Sequence, residues 1–266
     1  MKRRPSPDSL IQSIVLRRTT AIAISLLVFI GTRGPDTKAL GEAASAPVEP
    51  WHYVSDVDLA KEVFPTPPMA GSEERTAGLL LVSNACWKAH TLLTNEWDAA
   101  TNEIRFSWSP FANQFGPWFS WTNCLWTSNF LDRVRSDTDR ITDLGKPFWH
   151  ENRPYEDAPD LKKLIKSWGI PLNETSSTSC PSGHSTRGTV FALLFSELVP
   201  DKQEEILDIG REMGWHRVIL GAHYPWDVYA GRVLGIAIVR QMKTNADFQR
   251  DFNQAKAEIA KARKQR

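Results

Sequence analysis

Lys146 and Arg153, then Ser182, Gly183 and His184, then Arg217, His223 and Asp227 cluster at places where loops feed helices. Helix starts point backbone N–H groups outward and bind anions. Arginine offers a planar fork of donors and lysine a point charge, both suited to an oxyanion. Histidine changes its charge near neutral pH. Taken singly, each cluster has an ordinary explanation: surface cations, a serine N-cap, an acid in a first helical turn. Together they bring cations, two histidines, an acid and a glycine without a Cβ to the same kind of junction, which describes an anion pocket lined with titratable groups.

Helices must position these groups. Ser72 reads as an N-cap, with Glu73 and Glu74 in the first turn and a mostly buried helix continuing to about Leu93. Residues 94–121 are rich in Asn, Trp, Phe and Ser, and one or two short helices are expected there. From about Thr122 to Leu144, Leu125, Phe130, Leu131, Val134 and Ile141 recur at helical spacing. The stretch GKPFWHENRPYEDAP then reads as a loop, and DLKKLIKSWG as a short helix stopped by Gly169 and Pro171. Further helices are expected over about 183–198 and 202–214, and one beginning at Pro225, with Pro near N1 and Asp227 in its first turn. Alternating strand patterns are almost missing, so the expected fold is all-α, a single-domain helical bundle.

Three blocks carry a resemblance. KPFWHENRP, PSGH and RVILGAHYPWD match, in order and in internal spacing, the signature of the PAP2 phosphatase and vanadium haloperoxidase superfamily. VFPTPPMAGSEERTAG resembles the proline-rich lead-in of the bacterial class A nonspecific acid phosphatases, so the likeness runs from about Asp58 to Val239. It departs at one place: the family has serine before the third-block arginine, and this chain has His216.

The resemblance implies an all-α bundle of the PAP2 acid phosphatase type. It implies a phosphomonoester hydrolase of broad substrate range working through a phosphohistidine. Lys146, Arg153, Ser182, Gly183 and Arg217 would bind the phosphate, His223 would be the nucleophile, Asp227 its orienter and His184 the general acid. No cofactor is expected. His52, His90, His150 and His216 form no spaced ligand set, so no metal is expected either. The alternatives are a vanadate-dependent haloperoxidase, a lipid-phosphate phosphatase and a non-catalytic phosphate-binding protein.

The bulk properties agree with an exported enzyme of small molecules. The formal net charge is +1, which gives no pull toward nucleic acid. Residues 1–46 read as a signal peptide: a basic start, the apolar run AIAISLLVFIG, and small residues before Pro47. An uncleaved anchor is the alternative reading. Residues 47–71 read as an extended proline-rich arm, 72–245 as the catalytic domain, and 246–266 as an amphipathic helix. A periplasmic or secreted bacterial setting permits disulfides, but Cys86, Cys124 and Cys180 are an odd number and no pairing is assigned. No later segment is long and apolar enough to span a membrane, so no stable insertion is expected. The stripe Phe248, Phe252, Ala255, Ile259, Ala262 fits a helix packed on the body or on a second subunit of a homodimer.

Overall fold

A computed structural model describes residues 51–54, 66–116, 118–172 and 178–264. The signal peptide reading of 1–46 and part of the arm lie outside them. The described residues carry α-helices and no strand, as the pattern reading expects. Helix α1 spans Glu73–Leu92, α2 Thr94–Asn102, α3 Ser109–Phe115, α4 Leu125–Trp149, α5 Pro154–Asp157, α6 Pro159–Ser167, α7 Gly183–Leu198, α8 Gln203–Ile219, α9 Pro225–Met242 and α10 Ala246–Lys264.

Helix α7 is the axis of the fold. Val190, Phe191, Leu194 and Phe195 on it have no exposed surface. A helix that is apolar on most sides must be covered on most sides, and α8 and α9 pack along α7 while α4 closes it from another side. Gly231 lets α9 come close to the head of α7: a Cβ there would sit 2.6 Å from the Ser182 carbonyl oxygen. Gly221 turns the chain from α8 back toward α9 at a φ of +69, a left-handed value that favours glycine. The tryptophans serve mainly as aromatic packing. Trp108 stands edge-on to Phe191 at 4.0 Å between ring centres, and Trp168 stacks on His90 at 4.1 Å.

Two boundaries differ from the sequence reading. Helix α4 does not stop near Leu144 but runs through Pro147 to Trp149, and His150 ends it in a left-handed conformation. The proline falls three residues before that end, so the helix closes within a turn of it. Helix α8 runs on from about 214 to Ile219, which carries Arg217 inside its last turn.

Both chain ends of the body are tied down. Asp137 on α4 accepts the backbone N–H groups of His52 at 3.1 Å, Tyr53 at 2.6 Å and Val54 at 3.2 Å. The apolar stripe of α10 is buried against α4 of the same chain. Glu258 on α10 accepts the first free N–H groups of α4, from Trp126 at 3.1 Å and Thr127 at 2.8 Å, and so caps that helix from across the fold. Cys86, Cys124 and Cys180 are buried free thiols. No helix among the described residues is long and apolar enough to cross a membrane.

Candidate active site

The loop–helix junctions converge on one cavity of about 380 Å³. Arg153, His184, Arg217 and His223 line it, with Ile104, Arg105, Tyr155, Ile170, Pro171, Leu172, Leu220 and Ala222 forming the rest of the wall. The floor is therefore cationic and the wall mostly apolar.

His223 is buried in the Gly221 turn, just before α9. Arg153 sits at the N-cap of α5, and its Nη1 lies 2.9 Å from the Ala222 carbonyl and 3.2 Å from His223 Nε2. A guanidinium can only donate, so Nε2 is the accepting nitrogen and the proton of the neutral ring is on Nδ1. That Nδ1 faces Ser179, 3.2 Å from its Oγ, and Ser179 Oγ donates onward to Asp227 Oδ2 at 2.5 Å. The expected direct contact between Asp227 and His223 is not made: Nδ1 and Oδ2 are 3.6 Å apart and Ser179 stands between them. Asp227 also accepts the Tyr224 N–H at 2.8 Å, which closes the first turn of α9. Nothing in the sequence reading singled out Ser179. An uncharged hydroxyl two residues before a proline gives no signal until the turn is folded.

Ser182 caps α7, its Oγ accepting the Ser185 N–H, and the Ser182 backbone N–H reaches the Asp227 carbonyl at 3.0 Å. Gly183 is not demanded by the surrounding protein. A Cβ there would meet Arg187 Nη2 and Thr142 Cγ2 at 3.7 Å, ordinary contact distances. His184 follows in the first turn, half-buried, with Phe106 edge-on at 6.2 Å. Its Nε2 is buried without a hydrogen-bond partner among the described residues. Arg217 is buried, with Nη2 on the Ala100 carbonyl at 3.0 Å. Lys146 lies in the last turn of α4 and turns to Asp143 at 2.7 Å rather than lining the cavity. His216 points away from it too, with Nδ1 2.7 Å from Glu103 Oε2.

The electrostatics are those of a pocket short of negative charge. Burial, then the cations Arg217 and Arg187, hold His184 well below the usual imidazole range. Burial, then Arg153, Arg217 and Lys146, do the same to His223. Burial lowers Arg217 to about 10, with Glu103 opposing and Arg153 assisting. Burial raises the Asp227 carboxyl to about 6 against the hydrogen bonds from Ser179 and Tyr224. Strongly shifted groups of this kind gather at functional sites.

Residues 119–249 match the sequence pattern of the PAP2 superfamily. The chain carries a PAP2 superfamily domain. It is similar to an acid phosphatase of Zymomonas mobilis subsp. mobilis, 35% identical over 137 residues, which is 51% of this chain and 50% of the relative. It is also similar to non-specific acid phosphatases of Providencia stuartii, 42% identical over 86 residues (32% of this chain, 35% of the relative), and of Salmonella typhimurium, 40% over 81 residues (30% and 32%). The matched stretch thus spans half or less of the length of these relatives. The matched span of the PAP2 domain takes in Lys146, Arg153, His184, Arg217, His223 and Asp227.

Proposed function

We propose that the chain is a phosphomonoester hydrolase, an acid phosphatase that passes the phosphoryl group through His223. The observation that carries this is the bare Nε2 of a buried neutral histidine, held against an arginine fork in a cavity that also holds a second histidine. A phosphate entering there takes over the donors of Arg153 and Arg217 and meets the N–H groups at the head of α7. Ser182 shapes that head as its cap, and Gly183 leaves it uncovered. Lys146 adds positive field from the rim and would have to leave Asp143 to touch an oxygen. Nε2 attacks phosphorus and the ester P–O bond breaks. The leaving oxygen takes a proton from His184. A water then gives a proton back to His184 and attacks phosphorus, the P–N bond breaks, and inorganic phosphate departs. Ser179 and Asp227 hold the Nδ1 proton and offset the positive charge the ring gains.

The depressed histidines suit acid conditions. His223 must be neutral to attack, and its lowered pKa keeps it neutral below pH 6.5. A phosphate monoester binds its second proton near pH 6 by analogy with a phosphorylated side chain, so its monoanion can carry in the proton that His184 lacks in the free pocket. The cationic floor supplies the field that a metal supplies in other phosphatases, so turnover is expected to need none. The open, largely apolar wall favours a broad range of small phosphomonoesters, and the reading of residues 1–46 puts the work in the bacterial periplasm or outside the cell.

The test is rapid quenching with a 32P-labelled ester in the presence of a chelator. Wild type should show a burst of acid-labile phosphoenzyme. His223→Ala should show none and should lose turnover by about 10⁴-fold or more. A phosphoenzyme that still forms in His223→Ala would mean a different nucleophile. Phosphate that binds without turnover would make this a binding protein.

A further inference from the structure

Arg75 lies in the first turn of α1, buried, and does not line the cavity. Its guanidinium directs its donors at one short stretch of chain and at the arm. Nε donates to Asp157 Oδ2 at 2.7 Å. Nη1 donates to the Glu151 carboxylate and to the Pro68 carbonyl, the latter at 3.2 Å. Nη2 reaches the Asn152 carbonyl at 3.4 Å. Glu151 and Asn152 directly precede Arg153, and Asp157 closes α5, the helix whose N-cap is Arg153. Arg75 therefore grips the chain on both sides of a cavity arginine.

Two other segments of the site meet the same cluster. Tyr224, next to His223, donates its hydroxyl at 2.7 Å to Asp157 Oδ2, the oxygen that Arg75 Nε also holds. The guanidinium carbon of Arg75 lies 5.2 Å from the centre of the Tyr224 ring. The Ser179 N–H donates to the Glu151 carbonyl at 2.7 Å. One guanidinium thus gathers the segments that carry Arg153, His223 and Ser179.

A buried ion cluster adds little net stability, because desolvation offsets the attraction. What it fixes is geometry. A planar fork of donors sets directions as well as distances, which the single ammonium of a lysine does not. The distance at stake is the 3.2 Å between Arg153 Nη1 and His223 Nε2. Its two ends belong to different segments, and Asp157 joins those segments outside the cavity wall.

We infer that Arg75 is a positioning residue: through Glu151 and Asp157 its guanidinium sets Arg153 against His223. It touches no substrate and acts through Arg153. This rests on the reading of Arg153 as a phosphate ligand and His223 as the nucleophile.

The experiment is a double-mutant cycle on kcat/KM for p-nitrophenyl phosphate, taken per folded molecule. Arg75→Met should lower kcat/KM by about tenfold, and by no more than about 10²-fold, the cost of misplacing a group in the site. In an Arg153→Met background the same substitution should change it by less than about twofold, because the group it positions is gone. Losses that simply add would overturn the proposal, and so would a folded Arg75→Met with the kcat/KM of wild type. A merely structural role would lower the melting temperature in both backgrounds and leave kcat/KM alone. If Arg75→Met does not fold, Arg75→Lys, which keeps the charge and loses the fork, carries the same cycle with a smaller loss. Nitrogen-15 imidazole spectra read the contact without turnover. The His223 Nε2 resonance should move in Arg75→Met, or in Arg75→Lys, toward its position in Arg153→Met. A resonance that stays where wild type has it would overturn the proposal. Absence of turnover in wild type would instead overturn the phosphatase reading and leave the resonance to decide the positioning.

Discussion

Two of the places where the molecule buries charged groups treat them in opposite ways. Where the chain ends dock, Asp137 takes three backbone donors and Asp251 takes the Tyr53 hydroxyl at 2.9 Å and the Arg133 guanidinium, also at 2.9 Å. At the cavity, His184 Nε2, Arg217 Nε and Asp227 Oδ1 are buried with no hydrogen-bond partner among the described residues. Folding alone selects against such atoms, because each costs roughly 1–3 kcal/mol. The first region spends its charges on holding the fold. The second keeps one cationic donor and two acceptor atoms unspent, which leaves the donor free for an anion and the acceptors free for its protons.

Arg217 should show this contrast most strongly. Burial and the like charge of Arg153 make its charge a burden on the folded state, only partly relieved by Glu103. Arg217→Met should lower kcat/KM by about 10²–10³-fold, the usual loss for a preorganised donor. The melting temperature should stay level or rise, as it does when a strained functional group is removed. A clear fall in melting temperature would show that the cation is structural after all.

The opposite result is expected at Asp137. Asp137→Ala strands three N–H groups of the Trp51–Val54 segment and should cost about 2–3 kcal/mol, read by denaturant unfolding. It lies nine residues before Lys146 on α4, about 14 Å along the helix, so kcat per folded molecule should hold within twofold. A variant equally stable but slower would join the two regions that the structure keeps apart.

The sequence showed which side chains could gather at a pocket more readily than what braces them, for a physical reason. Charged and histidine side chains at Lys146, Arg153, His184, Arg217, His223 and Asp227 are costly to bury, so their spacing stands out in the chain. The helix spanning Gly183 to Leu198 was legible to the residue because a turn-former run meets an unbroken apolar run. The end of α4 was not, since a proline near a C-terminus reads as a stop while the last turn can still close around it. Ser179 was illegible because it meets His223 and Asp227 through hydroxyl contacts between segments far apart in sequence. Lys146 is the reverse case: its type was right for an anion, yet Asp143, one turn earlier on the same helix face, holds it at the rim.

The smallest expected effect is at Ser179, and it tests whether the hydroxyl links Asp227 to His223 or merely separates them. In Ser179→Ala, Asp227 loses a donor that now holds its pKa down, so a carboxyl already raised to about 6 moves higher. Its ionised form is then lost at a higher pH as the solution is acidified. The acidic limb of the kcat profile should therefore shift upward, as a property of the coupled His223–Asp227 pair and not of either group alone. kcat at the optimum should drop about tenfold, less than the roughly 10²–10⁴-fold of a group that itself moves the proton, with KM little changed because Ser179 stands behind His223 and does not itself line the cavity. If the hydroxyl only separates the two, its removal lets Asp227 close the 3.6 Å gap to Nδ1, and kcat stays level or rises with the limb unmoved. That outcome would place Asp227 with the structural carboxylates of the docking region, as a cap on α9 that happens to lie behind His223.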